Sequence, residues 1–154
     1  MFTNSAMLFG GGIYVKKRID IVSDDADVFN NSVIQGHGGG IWADNAYLRL
    51  FQGDIYGNTA ITSAFAPITV GGGVGAIGSY IETGDGAEIS SNSASWGGGL
   101  AISSSTCYLG RSKSVDCIIN YNVAQLGGGL YATNSQIYSQ GAVFSDNSSE
   151  NDGG

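Results

Sequence analysis

The chain has 154 residues, of which 26 are glycine and one is proline, and 42% of its residues are hydrophobic. This length is sufficient for one domain with its own core, and the hydrophobic content argues against a disordered linker. The net charge of -7 means that nucleic acid is not expected as a partner. No stretch is long and apolar enough to span a membrane as a helix, so this segment is not expected to insert directly into a membrane.

Glycine triplets recur along the chain and mark a repeated unit. Their first residues are Gly10, Gly38, Gly71, Gly97 and Gly127, and Gly153 and Gly154 form a further pair. The successive spacings are 28, 33, 26, 30 and 26 residues. Repeats of this length are typical of solenoids, in which each unit buries its apolar face against the next unit.

A second landmark keeps step with the triplets: an asparagine that follows an apolar residue by three positions. These asparagines are Asn4, Asn31, Asn58, Asn92, Asn122 and Asn147. Asparagine tolerates the left-handed backbone region, and its amide can bond to the equivalent amide of the next unit. We therefore predict that the asparagines occupy turns and form a structural ladder, with no catalytic role.

Each unit has room for three short strands and no helix. The first strand follows the triplet and alternates apolar residues, as at Ile41 and Ala43. A second strand carries Leu48 and Leu50, and a third carries the apolar residue before each asparagine, such as Ile55. Stacked copies predict an all-β, right-handed parallel β-helix of about five coils with open ends. It forms one domain over residues 1–154.

The two ends of the chain lie at the same phase of the repeat. Neither end carries a polar or helical cap, although solenoids normally shield their terminal units. This pattern predicts either an excerpt of a longer solenoid or a protomer that associates end to end.

The paired motifs resemble the repeat of the polymorphic outer membrane protein family, which carries FxxN and GGA[ILV] motifs. Phe144 to Asn147 match FxxN, and the other copies have Met, Val or Ile in place of Phe. The glycine motif here is GGG followed by Ile, Val or Leu, as in "INYNVAQLGGGL". The resemblance implies a right-handed parallel β-helix in a surface-exposed passenger. It also implies an extracellular or cell-surface location, associated with the outer membrane if the chain is part of a longer one.

Two aromatic residues, Tyr14 and Trp42, point outward from consecutive coils in the predicted register. Aromatic faces of this kind form stacking platforms for a sugar ring or for another protein. Stacked aromatic side chains also stabilise a parallel ladder, which is the structural interpretation of the same pair.

A basic cluster is predicted where Lys16, Lys17 and Arg18 lie one coil below Arg49. Polysaccharide lyases on this fold use a basic residue beside carboxylates that hold calcium. The acidic run at residues 23–27 supplies carboxylates to the same corner. The cluster is therefore a possible ligand-binding site and the best place for an enzymatic alternative.

The remaining chemistry-bearing residues predict no catalytic centre. His37 is the single histidine, and it precedes a triplet where other units have apolar residues. Cys107 and Cys117 fall in inward columns, as two buried apolar residues or as a disulfide in an oxidising compartment. No metal motif is formed, so neither a metal nor a cofactor is expected.

The preferred interpretation is a non-enzymatic, surface-exposed or secreted β-helix that acts as an adhesin or structural passenger. Its expected partner is a host or cell-surface protein or a glycan. One alternative is a carbohydrate-active β-helix, either a polysaccharide lyase or a hydrolase. Another is a unit of a fibre that self-associates end to end.

Overall fold

A computed structural model describes residues 3–22, 26–61, 70–84, 86–111 and 116–154 of the chain. These ranges contain twenty β-strands and no helix, and their sheets are entirely parallel. The protein is an all-β solenoid of about four turns. The number of turns is slightly lower than the five coils predicted from the sequence.

Three sheets of five strands form the sides of the solenoid. Sheet 1 contains β2 (Ile13–Val15), β6 (Ile41–Asp44), β10 (Val74–Ile77), β13 (Leu100–Ser103) and β17 (Leu130–Thr133). Sheet 2 contains β3 (Arg18–Val22), β7 (Tyr47–Phe51), β11 (Tyr80–Gly84), β14 (Thr106–Leu109) and β18 (Gln136–Ser139). Sheet 3 contains β4 (Val28–Phe29), β8 (Asp54–Tyr56), β12 (Glu88–Ser90), β15 (Cys117–Asn120) and β19 (Ala142–Ser145). We call each level of the stack a rung.

A fourth, narrow side carries short strands between the asparagines and the next triplet. It consists of β1 (Ser5–Ala6), β5 (Ser32–Val33), β9 (Thr59–Ala60), β16 (Val123–Leu126) and β20 (Ser148–Asp152). A single bridge residue, Ser93, pairs with both Thr59 and Val123 and connects the two halves of this side.

The core is built from columns in which each apolar side chain stacks on its own equivalent. In sheet 1, Val74 pairs with Ile41 on one side and with Leu100 on the other, and all three are fully buried. Burying an aliphatic side chain of this size contributes about 1.5–3 kcal/mol relative to exposure. The repeated columns therefore supply the continuous interior that a single unit lacks.

The glycine triplets form the sharp corner before sheet 1. The first glycine of each triplet adopts positive φ, for example 63° at Gly97, a conformation that side-chain-bearing residues rarely adopt. The third glycine makes room for the asparagine ladder, since a Cβ at Gly99 would lie 2.8 Å from Nδ2 of Asn122. The two sequence landmarks share one register because they are in direct contact.

The asparagines form a hydrogen-bonded ladder along the solenoid axis. Nδ2 of Asn58 donates to Oδ1 of Asn92 at 3.1 Å, and Nδ2 of Asn92 donates to Oδ1 of Asn122 at 3.1 Å. The same Nδ2 of Asn92 also donates to the carbonyl oxygen of Ile55 at 2.8 Å. The ladder runs through Asn4, Asn31, Asn58, Asn92, Asn122 and Asn147.

One part of the asparagine prediction is wrong, because these residues are not in the left-handed backbone region. The residue directly before each of the last five asparagines adopts positive φ instead. These residues are Asn30, Gly57, Ser91, Tyr121 and Asp146. The asparagines are required for their buried amides and not for their backbone freedom.

A shorter serine ladder supports the turn between sheets 1 and 2. The hydroxyl of Ser79 accepts the backbone N–H of Ala46 at 3.1 Å. The hydroxyl of Ser105 accepts the N–H of Ser79 at 3.0 Å, and that of Ser135 accepts the N–H of Ser105 at 3.2 Å. This turn therefore keeps its backbone donors paired from rung to rung.

Candidate functional site

A groove lies on the outer face of sheet 1, where two columns of side chains meet. One column is the middle outward position of the sheet 1 strands, and the other is the residue before each triplet. The corner at the triplet brings the two columns together: the ring centroids of His37 and Trp42 are 5.2 Å apart, and those of Trp96 and Tyr131 are 5.1 Å apart. Aromatic side chains therefore stand on both sides of the groove.

The groove is deepest where the outward column loses its large side chains. Gly75 and Ala101 occupy the middle rungs, between Trp42 on one side and Tyr131 on the other. The resulting cavity has a volume of about 560 Å³. Its lining includes Phe9, Tyr14, His37, Trp42, Asp44, Val70, Ile77, Trp96, Ala101, Ser103, Tyr131 and Thr133. The volume is within the usual range for a small-molecule site.

Trp42 forms the wall of the cavity at its lower end. Its ring stacks on Phe9 at 5.5 Å and leans over Gly75, where a Cβ would lie 2.6 Å from Cε3 of Trp42. Tyr14 is 47% exposed, whereas Trp42 is 7% exposed. The sequence predicted an exposed platform from these two residues, and that prediction is wrong for Trp42, which is buried by its neighbours.

His37 is held in the groove wall as a neutral imidazole. Its Nδ1 accepts the backbone N–H of Val70 at 3.3 Å, which leaves the proton on Nε2. Burial lowers the pKa of His37 below its ordinary value. The neutral ring can donate one hydrogen bond to a ligand through Nε2.

A carboxylate and two hydroxyls line the other edge of the groove. Asp44 Oδ2 accepts the hydroxyl of Tyr14 at 3.0 Å and lies 3.7 Å from Nζ of Lys16. The hydrogen bond from Tyr14 is the main cause of the lowered pKa of Asp44, so this group is ionised at neutral pH. Ser103 and Thr133 follow in the same column. The groove thus combines apolar walls with a few polar groups.

The predicted basic cluster is divided between two faces of the solenoid. Lys16 lies at the rim of the groove beside Asp44, and Lys17 is exposed on the turn that follows. Arg18 and Arg49 lie on the outer face of sheet 2, where Arg49 pairs in register with Asp20 and not with a basic residue. The prediction of one cluster is wrong because the turn at Lys16 and Lys17 separates the two sheets. Asp24 and Asp25 of the acidic run lie outside the described residues.

Sequence reasoning missed Phe9, Asp44, Trp96 and Tyr131 as members of this site. The signal was present in the outward column, which has large residues in the first, second and fifth rungs. Rungs three and four have Gly75 and Ala101. A gap flanked by aromatic residues in a stacked column indicates a cavity.

Cys107 and Cys117 are free and buried. Burial raises the pKa of Cys107 to about 12 and the pKa of Cys117 to about 11. Both thiols are therefore protonated at neutral pH and act as small core residues. The disulfide alternative is not formed in this structure.

Within the described ranges, no three His, Cys, Asp or Glu side chains are placed to hold a metal ion. The same part of the chain contains no helix with the length and apolar character needed to cross a bilayer. Comparison with known protein families, curated proteins and solved structures found no match to this chain.

Proposed function

We propose that this protein is a non-enzymatic, surface-exposed or secreted β-solenoid of the adhesin type that binds a glycan in the aromatic groove. The observation that carries the proposal is the cavity that the buried Trp42 closes at one end, where the half-buried rings of Trp96 and Tyr131 supply the faces for stacking. Aromatic faces stack on the apolar faces of sugar rings, and a few placed polar groups then fix the orientation of the ligand. The resemblance to the polymorphic outer membrane protein repeat, with its right-handed winding, supports the surface location.

The shape of the groove supports an elongated ligand. Its lining residues extend from Tyr14 in the first rung to Tyr131 in the fifth. Trp42 and Tyr131 are three rungs apart, which corresponds to roughly 14 Å at the usual strand spacing. A short linear run of sugar rings, lying parallel to the solenoid axis, fits this length.

The charge of the groove supports a neutral or cationic sugar. Asp44 is ionised, and Nζ of its neighbour Lys16 lies 3.7 Å from the carboxylate. Because the Lys16 side chain is 67% exposed, its positive charge is strongly screened by water. The chain as a whole has a net charge of -7. An acidic polymer would be repelled by the Asp44 carboxylate and by the net negative charge of the chain.

The polar content of the groove supports binding without turnover. Among its described lining residues, Asp44 is the one carboxylate, and His37 is a neutral ring bonded to backbone. Glycoside hydrolysis generally uses two carboxyl groups at a set separation. Binding by stacking requires no such pair.

The test is a glycan array with the intact chain, followed by calorimetry with the best ligand. Tyr131→Ala removes a groove wall, and we expect about tenfold or greater loss of affinity. Tyr138→Ala is the matched control, because Tyr138 is a tyrosine of the same rung on sheet 2. Absence of any bound glycan, or an equal loss in both variants, would contradict the proposal.

A second candidate function is a carbohydrate-active enzyme, supported by Arg49 lying between two carboxylates on sheet 2. Its guanidinium is 3.7 Å from Glu82 and 4.0 Å from Asp20. Assays on acidic polysaccharides with calcium would reveal such an activity. Turnover that is lost in Arg49→Gln would favour the enzyme over the adhesin.

A third candidate is a fibre unit that self-associates end to end. Ile137 and Phe144 are 40% and 45% exposed in the last rung, whereas their equivalents Cys107 and Ile119 are fully buried. Light scattering during size-exclusion chromatography tests this candidate. A monodisperse monomer over a wide concentration range would rule it out.

A further inference from the structure

The outer face of sheet 2 carries a row of tyrosines that is distinct from the groove on sheet 1. The row consists of two stacked pairs, Tyr47 with Tyr80 and Tyr108 with Tyr138, joined by a tilted contact between Tyr80 and Tyr108. Ring centroids are 4.8 Å apart for Tyr47 and Tyr80, 5.3 Å for Tyr80 and Tyr108, and 4.7 Å for Tyr108 and Tyr138. The rigid aromatic surface positions the charged side chains that lie on it.

Three arginines place their guanidinium groups over aromatic rings of this face. Arg18 lies over Tyr47 at 4.8 Å, Arg49 over Phe51 at 4.6 Å and Arg111 over Tyr108 at 5.2 Å. Cation–π stacking leaves the hydrogen-bonding edge of each guanidinium free for other partners.

Among the described residues of this face, Asp20 and Glu82 are the carboxylates, and each already accepts hydrogen bonds. Oδ2 of Asp20 accepts from Arg18 at 3.0 Å and 3.3 Å. Glu82 accepts from Nη1 of Arg111 at 3.0 Å through Oε1 and from the hydroxyl of Tyr47 at 2.6 Å through Oε2. Three guanidinium charges are therefore balanced by two carboxylates.

Of the three arginines described on this face, Arg49 is the one without a hydrogen-bonded carboxylate. Its Nη1 lies 4.0 Å from Asp20 and its Nε lies 3.7 Å from Glu82, and both distances exceed that of a hydrogen bond. Within the described residues, Nε of Arg49 is buried without a hydrogen-bond partner. Native structures rarely leave such a donor unpaired, so this one marks a place for a ligand.

A hollow of about 440 Å³ lies beside this donor, lined by Tyr47, Arg49, Phe51, Glu82 and Arg111. We propose that it is an anion site for one carboxylate group, held by the guanidinium edges of Arg49 and Arg111. A planar carboxylate matches the fork of an arginine and forms short, charge-assisted hydrogen bonds with it. Uronic acids and acidic amino acids share this chemistry, and both are small enough for the hollow.

The anion site lies on sheet 2 and the glycan groove lies on sheet 1, so an experiment can disprove one proposal without disproving the other. The experiment is calorimetry at low ionic strength with four probes: glucuronate, glutamate, glucose and inorganic phosphate. We expect glucuronate or glutamate to bind, and we expect any signal from glucose to be the same in wild type and Arg49→Gln, because a neutral sugar would occupy the groove on sheet 1. The stronger of the two carboxylates identifies the source of the group. Added salt should weaken binding, since Arg49 is partly exposed.

Arg49→Gln removes the surplus charge, and we expect it to weaken carboxylate binding about tenfold or more. Lys17→Gln is the matched control, since it removes the same charge from the exposed turn directly before this sheet and leaves the pairing of Arg18 with Asp20 intact. Arg49→Lys retains the charge without the fork, so its affinity should be intermediate. Circular dichroism verifies that all variants are folded.

Three results would overturn the proposal: no binding of either carboxylate, tighter binding of phosphate than of both, or equal binding by wild type and Arg49→Gln. An equal loss in Lys17→Gln would overturn it as well, because the effect would then be one of general surface charge.

Discussion

The interior and the outer faces of this solenoid follow different rules. In the interior, Asn58 contacts Asn31 and Asn92, so each residue has copies of itself as neighbours. On the outside of sheet 1, the same register holds Trp42, Gly75 and Ala101. A change inside disturbs two rungs at once, whereas the outside has space to vary. The candidate binding surfaces are accordingly found where the residue type changes from one rung to the next.

The sharpest test of this contrast is Asn92→Ala. The change removes the acceptor for the backbone N–H of Asn58 at 2.9 Å and leaves the carbonyl of Ile55 without its donor. Each buried group left unpaired costs about 1–3 kcal/mol, so we expect a loss of about 3 kcal/mol or more. Urea denaturation measures it. The exposed Asn151→Ala should change stability by less than about 0.5 kcal/mol, and similar losses in both would refute the contrast.

A somewhat smaller loss is expected for Gly99→Ala. The new Cβ would lie 2.7 Å from the carbonyl oxygen of Gly129 and 2.8 Å from Nδ2 of Asn122, so the corner must shift. We expect a loss of about 2 kcal/mol, typical of overpacking. Gly153→Ala is the control: it has positive φ but no contact closer than 3.7 Å, and left-handed strain alone should cost about 1 kcal/mol. Thermal unfolding compares the two, and a harmless Gly99→Ala would show that the third glycine is not needed for packing.

On the outer face, Tyr80→Leu should cost less than either interior change. Leucine retains apolar bulk but loses the stacking on Tyr47 and Tyr108 and the hydrogen bond from Arg111. We expect a loss of about 1 kcal/mol. Denaturant unfolding measures this loss, and a value as large as that of Asn92→Ala would mean that the tyrosine row is as essential as the ladder.

The smallest expected effect is a pH dependence due to His37. Burial lowers its pKa in the folded state, so the unfolded chain binds a proton more readily below the ordinary value of 6.5. Stability should therefore be full above that pH and decline as the pH falls below it. His37→Gln should flatten the stability profile between pH 7 and pH 5, as measured by melting temperature. An unchanged slope in the variant would assign the effect to other groups.

The interior could be predicted from the sequence because each buried column is a stack of equivalent residues that contact one another. A residue such as Asn92 or Gly99 must recur at each rung, and recurrence is visible in the sequence. The positive-φ residue before the ladder asparagine was not predicted from the sequence. It is Asn30 in one rung, Gly57 in the next and Ser91 in the one after, so the position has no shared residue type. A positive φ at such a position cannot be recognised from a recurring residue type in the sequence.

The outer face was harder to predict because its geometry depends on unlike neighbours. Trp42 is buried because Gly75 in the next rung leaves space for its ring. Arg49 has no hydrogen-bonded carboxylate because Arg18 and Arg111 take the carboxylates described on this face, and Arg111 comes from a distant part of the sequence. Such outcomes depend on which side chains compete for one partner, and a column pattern does not contain that information.

The stacked register has a consequence for how such a chain can change in length. Because the strands of the described residues pair only with those of neighbouring rungs, removal of residues 97–126 would join Trp96 to Gly127 and restore an equivalent corner. Evolution by duplication or deletion can therefore proceed in whole units without rebuilding the interior. The same deletion would change the outer surface, since the shortened protein would have a different order of side chains around its cavity.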